Sequence, residues 1–360
     1  MKNILFPFLA LIALLALSSC KDEIISSSEF KEQPVVFGLL DKNDTIHYIK
    51  INRGFAGIGN ALDHAQIEDS NVFQSVTGVV DEYVNNTLAR SWTLIDTMLQ
   101  NKSEDGVFFG PEQKVYYFST GNDPLVGGAT YKLNLNINEG KLIVKGETIL
   151  VDDFECTNFS QEQTQFRFAK PAGEYVSANV IFTQGLSAFA NVTLRVTFSE
   201  FRGTDKTFKS FDWILGESAP SSGNYSYTAL GQGFFERIEQ NATDDPSITR
   251  RNFESITIVG TAGESDFYNY VLVNKPSSSL AQSKPTFTNL SVTEGFDVVG
   301  LFSSRKTTEV FKPFINPVNA NFRSLDLNST RELCNGSITG HLQFCSQHSN
   351  DSQEASINCN

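Results

Sequence analysis

Tyr131, Leu133, Leu135 and Ile137 alternate with Lys132, Asn134 and Asn136, the period-two signature of a strand with one buried face. Asn138-Glu139-Gly140 turns the chain, with Gly140 suited to a left-handed position, and Leu142 and Val144 return on the same face. Earlier, Val35-Val36-Phe37 with Leu39-Leu40 is a buried-type apolar run, and Asp41-Lys42-Asn43-Asp44 ends it in turn chemistry. Asn85-Asn86 separates residues 79–84 from the region around Trp92 and reads as a hairpin turn, because asparagine tolerates positive φ. A second block repeats the pattern. Val192, Leu194, Val196 and Phe198 face one way along 191–199, Phe211 and Trp213 sit on the return strand, and Val180, Phe182, Ile256 and Ile258 mark further strands. Only Phe234-Phe235 with Ile238, and residues 267–272, suggest helix, and both are short. The expected fold is all-β: a β-sandwich over 34–151, then a second β-rich, sandwich-like domain over 152–327 with few short helices. Residues 328–360 read as a polar tail with three cysteines.

The amino terminus departs from this pattern. Lys2 precedes an apolar stretch over 4–17 that is short for a membrane span, and Leu17-Ser18-Ser19-Cys20 closes it. That closure resembles the lipobox of bacterial lipoproteins. The resemblance implies a signal peptide over 1–19, a lipidated Cys20 and a Ser-rich tether over 20–33. Several acyl chains make such anchoring stable where one does not. Lys21-Asp22-Glu23 resembles the surface-export signal of Bacteroidota lipoproteins, so the cell surface and the periplasmic face both stay open.

Net charge is −13, and −14 once Lys2 leaves with the leader. Such a surface repels phosphate backbones, which argues against nucleic acid as a partner. Thirty phenylalanines supply bulk for real cores.

Beyond the lipobox, the chain carries Pro34-Val35-Val36-Phe37-Gly38-Leu39-Leu40, Gly128-Ala129-Thr130-Tyr131-Lys132-Leu133, Gln282-Ser283-Lys284-Pro285, Thr288-Asn289 and Gly300-Leu301-Phe302-Ser303-Ser304-Arg305. Together these resemble a family of Bacteroidota outer-membrane lipoproteins filed as a domain of unknown function and often encoded near outer-membrane transporter systems. The resemblance implies that the 34–151 module is immunoglobulin-like. It brings no established activity and no catalytic residues.

Chemistry-bearing residues are few. The histidines are His47, His64, His341 and His348. His47 shares a strand face with Ile49 and Ile51 and reads as a hydrogen-bonded, half-buried structural residue. His64 follows Asp63 in a polar loop without a triad. Gly185-Leu186-Ser187-Ala188-Phe189 lacks the closing glycine of a nucleophile elbow. Gly54-Phe55-Ala56-Gly57-Ile58-Gly59 has no amphipathic helix after it to cradle phosphate. Asp152-Asp153 and Asp244-Asp245 are acidic pairs without a spaced ligand motif. Cys334, His341, Cys345 and His348 are zinc-type ligands, yet their spacing matches no usual zinc signature. In an oxidising compartment a Cys334–Cys345 disulfide is the expected outcome, with Cys156 and Cys359 left over. Asp44-Thr45-Ile46 and Asp96-Thr97-Met98 resemble a short O-glycosylation motif of Bacteroidota.

These readings point to a lipid-anchored outer-membrane protein that binds or scaffolds without catalysis, and they assign no cofactor, no metal and no catalytic residue. The alternative is capture of glycans or nutrients beside an outer-membrane transporter, with Trp92, Trp213 and Tyr225 as stacking candidates. An exported hydrolase is the least supported class. The loop over 55–63 is the expected location of a binding surface.

Overall fold

The structure is a computed structural model that describes residues 32–54, 65–100, 109–219, 223–275 and 286–359. Eight strands come first: β1 (Gln33–Asp41), β2 (Ile46–Gly54), β3 (Val76–Val84), β4 (Thr87–Thr93), β5 (Ile95–Leu99), β6 (Gln113–Ser119), β7 (Thr130–Ile137) and β8 (Leu142–Ile149). The expected turns form as the residues dictate. Asn85 and Asn86 take φ of 50° and 62°, the left-handed pair that a two-residue hairpin needs. At the β7–β8 turn Gly140 takes φ 95°.

These strands pair as β1-β2-β6-β5 in one sheet and β8-β7-β3-β4 in the other. Lettered in chain order, they give ABED packed against GFCC′, the immunoglobulin arrangement. Between the sheets lie Val36, Ile49, Val80, Leu133 and Val144, all with 0% exposure. Tyr131, near the start of β7, adds a tyrosine corner: its hydroxyl accepts from the Val126 amide at 2.8 Å. The same hydroxyl donates to Glu82. Arg90 grips that carboxylate with two nitrogens at 2.8 and 2.6 Å. Burial would raise Glu82, but the bonds from Arg90 and Tyr131 hold its pKa below the usual range.

The remaining elements are β9 (Ala178–Thr183), β10 (Phe189–Arg202), β11 (Asp205–Ser218), β12 (Asn224–Ala229), α1 (Gly231–Asn241), β13 (Arg250–Gly263), α2 (Ser265–Asn274), β14 (Ser291–Val292), β15 (Val299–Pro313), α3 (Leu327–Asn335) and β16 (Phe344–Cys345). Long antiparallel strands in the order β11-β10-β13-β15 make one wall of a second core. The β9–β12 ribbon, α1 and α3 close it. Val192, Leu194, Val196 and Phe198 line the wall as their alternation predicts, and Phe234, Phe235 and Ile238 of α1 meet them. The segment 328–359 is packed against this core instead of standing apart as a polar tail. Leu333, Phe344 and Ile357 join the apolar cluster, and β16 pairs in parallel with β13.

One strand belongs to both cores. The first half of β15 pairs in parallel with β1, from Val35↔Val299 to Asp41↔Arg305. Its second half pairs antiparallel with β13, from Gly263↔Arg305 to Ser255↔Pro313. A single nine-stranded sheet therefore runs behind both. Residues 299–305, far beyond position 152 in the chain, complete the amino-terminal sandwich. Phe302 is fully buried there.

The Gly-Leu-Phe-Ser-Ser-Arg stretch is the seam itself. Gly300 has φ 126°, and a Cβ on it would lie 1.8 Å from the Val36 carbonyl oxygen. Ser304 Oγ donates to Ile149 O at 2.6 Å and accepts from Val151 N at 3.0 Å. Asn289 clamps Phe302 by accepting from its amide at 3.0 Å and donating to its carbonyl at 2.8 Å.

Gly300→Ala should therefore cost about 3 kcal/mol or more, combining backbone strain with a steric clash. Denaturant unfolding followed by tryptophan fluorescence checks this. A cost under about 1 kcal/mol, the level of a tolerated surface change, would show that the seam is not tight.

Candidate functional site

Each residue singled out for chemistry can now be placed. His47 is only 2% exposed, and neither ring nitrogen has a hydrogen-bond partner. The expectation of a half-buried, hydrogen-bonded residue is corrected on both counts. The ring lies against Phe118 with centroids 4.8 Å apart, and burial lowers its pKa to about 4 against a raising pull from Asp41. His341 is exposed and lies 3.8 Å from Glu239. His348 is buried, and its Nδ1 accepts from the Asn350 amide at 3.2 Å. His64, the 55–63 loop, Cys20 and the Lys21-Asp22-Glu23 run lie outside the described residues.

The cysteine expectation is also corrected. Cys345 is bonded to Cys359, and Cys334 and Cys156 are free and buried. Cys334 points from α3 into the second core. Burial, with Asp351 and Glu354 nearby, pushes its thiol up to about 12. Cys345 lies instead on β16, where Asn252 donates to Cys345 O at 3.0 Å and to Cys359 Sγ at 2.9 Å. Loop length favours 334–345 and 345–359 about equally, so packing decides. Among the described residues no group of three His, Cys, Asp or Glu side chains converges on a metal-sized site.

Several acidic residues serve the framework. Asp152 pairs with Lys42 at 2.5 Å and faces Lys306 at 3.7 Å, at the junction of the two cores. Ser247 and Arg202 hold Asp245 near a pKa of 2, as a turn anchor. Glu200 takes Arg251 at 3.0 Å and Asp351 takes Arg323 at 2.8 Å, and all four side chains are buried. Removing one partner of such a pair would strand a buried charge, so these contacts specify the fold.

The expected stacking aromatics are core residues. Trp213 and Tyr225 are 5% and 1% exposed. Trp92 packs on Phe118 with Arg90 over its ring at 4.8 Å.

What stays open is the outer face of the nine-stranded sheet. Its middle is covered by α2, whose Tyr270 meets Phe37 at 5.8 Å and whose Phe267 meets Phe189 at 5.3 Å. At one end, Tyr48, Tyr117 and Ile95 form a cross-strand row through registers Tyr48↔Tyr117 and Ile95↔Tyr117. The two tyrosine rings are 6.2 Å apart, and Tyr48 and Ile95 are exposed. Sequence reasoning missed this row, although placing His47, Ile49 and Ile51 inward already sends Tyr48 outward. At the other end, Ile214, Thr193, Val259 and Glu309 make one row, and Asp212, Arg195, Thr257 and Phe311 the next. Ile214 and Phe311 are both exposed there, beside an Arg195–Asp212 pair at 2.8 Å. On the opposite side of the sandwich, two shallow hollows of about 370 and 430 Å³ adjoin at Asn134. No helix among the described residues is long and apolar enough to cross a membrane.

No family model and no curated protein matches this chain. Among solved structures, CBD12 from CALX1.2 aligns over 76% of this chain and 99% of its own, at 11% identity and a TM-score of 0.17. A score that low carries no argument about this chain.

Two expectations follow. Peptide mapping without reduction should find the 345–359 linkage and alkylatable Cys334 and Cys156 after denaturation; a 334–345 linkage would overturn the packing argument. The second concerns acid. The pKa of His47 falls from 6.5 unfolded to about 4 folded, so the unfolded chain binds the proton first as pH drops. Stability is therefore intact above about pH 6.5 and is lost between there and pH 4, by up to about 3 kcal/mol. Asp41, raised by burial, acts with the opposite sign, so comparison with His47→Phe isolates the histidine. Parallel stability–pH curves for the two proteins would refute it.

Proposed function

We propose that this chain is a lipid-anchored envelope protein that binds or scaffolds a partner at the outer membrane and does not catalyse. One observation carries the reading: both ends of a rigid nine-stranded sheet present apolar and aromatic side chains to solvent, while the buried ion pairs Glu200–Arg251 and Asp351–Arg323 hold the framework. A sheet buried on one face and open on the other suits recognition, since its outward side chains vary without disturbing the core. Anchoring through Cys20 would place that face at the membrane. Its resemblance-based partner is an outer-membrane transporter or another envelope protein.

Glycan or nutrient capture is the second reading. The exposed Tyr48–Tyr117 row favours it, because tyrosine rings offer a flat apolar face with a polar edge.

The test expresses the full chain with Cys20→Ala, Tyr48→Ala/Tyr117→Ala and Ile214→Ser/Phe311→Ser variants. Cys20→Ala should move the protein from the membrane fraction to the soluble or unprocessed pool. Partner co-purification should survive in the His47→Phe protein and fall at least about fivefold in one of the two surface doubles. Loss of glycan binding confined to the tyrosine double would select the second reading. Turnover of a glycan, peptide or ester substrate, abolished by changing one acidic side chain, would defeat both.

A further inference from the structure

Where β15 ends, its last residues leave the sheet seam, and among the described residues no strand pairs with them on the β1 side. A pocket of about 200 Å³ opens there, between the strand end and residues 316–324. Its rim is apolar, and Phe311 and Val318 are 63% and 84% exposed. Its base is polar and contains Lys312, Arg323 and Ser324.

The base is chemically incomplete. Lys312 is 4% exposed, and its Nζ donates to Gln161 O at 2.7 Å and to Glu162 O at 3.2 Å. Two backbone carbonyls leave the third ammonium proton without an acceptor. No carboxylate of the described residues forms an ion pair with this nitrogen; Glu162 attracts it only from the exposed rim. Buried charges are ordinarily paired. Burial lowers the Lys312 pKa, as expected of an ammonium held away from water. Arg323 makes both its bonds to Asp351 through a single nitrogen, so its other two have no acceptor among the described residues. Ser324 is fully buried, and its Oγ has no partner.

We propose that this pocket binds a small organic carboxylate. The acid group takes the free protons of Lys312 and Arg323, and its apolar body lies against Phe311 and Val318. Charge complementarity selects an anion, because the Arg323 charge is already matched by Asp351 and that of Lys312 is not. The rim selects an apolar body over a free inorganic ion, and the volume, below the roughly 300 Å³ at which drug-sized pockets begin, selects a small one. The site shares Phe311 with the outer-face row at that end of the sheet, whereas Lys312, Arg323 and Ser324 lie outside that row, so Lys312→Met tests the pocket apart from the outer face.

The probe is benzoate, titrated into the full chain by calorimetry with thermal stability in parallel. Benzoate should bind and raise Tm, while benzyl alcohol, its neutral counterpart, should not. Lys312→Met keeps the length and removes the charge, and should weaken benzoate at least about tenfold. Phe311→Ala alters an exposed side chain, leaves the fold intact and should weaken benzoate about fivefold, so it decides the matter even where Lys312→Met folds poorly. Inorganic phosphate should bind more weakly than benzoate. Arms with N-acetylphenylalanine and glucuronate tell a peptide carboxy terminus from a sugar acid as the natural body. The proposal fails if benzoate leaves the wild type unchanged, if benzyl alcohol matches it, or if neither substitution weakens binding.

Discussion

The parallel contact between β1 and β15 is the constraint on which the rest of the molecule depends. Without residues 299–305 beside β1, the amino-terminal sandwich would lose Phe302 from its core and expose a strand edge. Without the second half of the same strand, β13 would lose its outer neighbour. The contact must be close, and Gly300 permits that closeness because a side chain there would enter the backbone of Val36. Ser304 and Asn289 then satisfy backbone groups that the junction would otherwise bury unpaired. Two cores mounted on one sheet cannot swing independently through this joint.

That rigidity shapes what the surface can do. A sheet that is covered on its inner face by two cores and in the middle of its outer face by α2 leaves two separated patches at fixed spacing. The buried pairs Glu200–Arg251 and Asp351–Arg323 and the half-buried pair Glu82–Arg90 hold the long strands, the carboxy-terminal cap and the tyrosine corner in place. Lys312 stands out against this background as a buried cation whose proton capacity the protein has not used.

Local features were legible in the chain. The alternation at 131–137 and 191–199 told which side chains face inward, because a strand's period of two is a property of the backbone alone. Asn85-Asn86 and Gly140 marked turns because few residues tolerate positive φ. The same alternation implied an outward Tyr48. The polar character of 328–360 misled, because Leu333, Cys334, Phe344 and Ile357, together with the pairing of β16 with β13, dock the segment onto a core it follows in the chain by many residues.

What the amino-acid sequence determined by itself was therefore the all-β character, the hairpins and the inward faces, each set by interactions within a few residues. Only the tertiary structure decided that β15 serves two cores, that Cys345 meets Cys359 while Cys334 is buried in the core, that His47 has no partner, and that Lys312 and Ser324 share one pocket. Those outcomes depend on contacts between residues far apart in the chain. Such contacts are chosen by packing as a whole, since many pairings satisfy the same local pattern and only one fills both cores without stranding backbone groups.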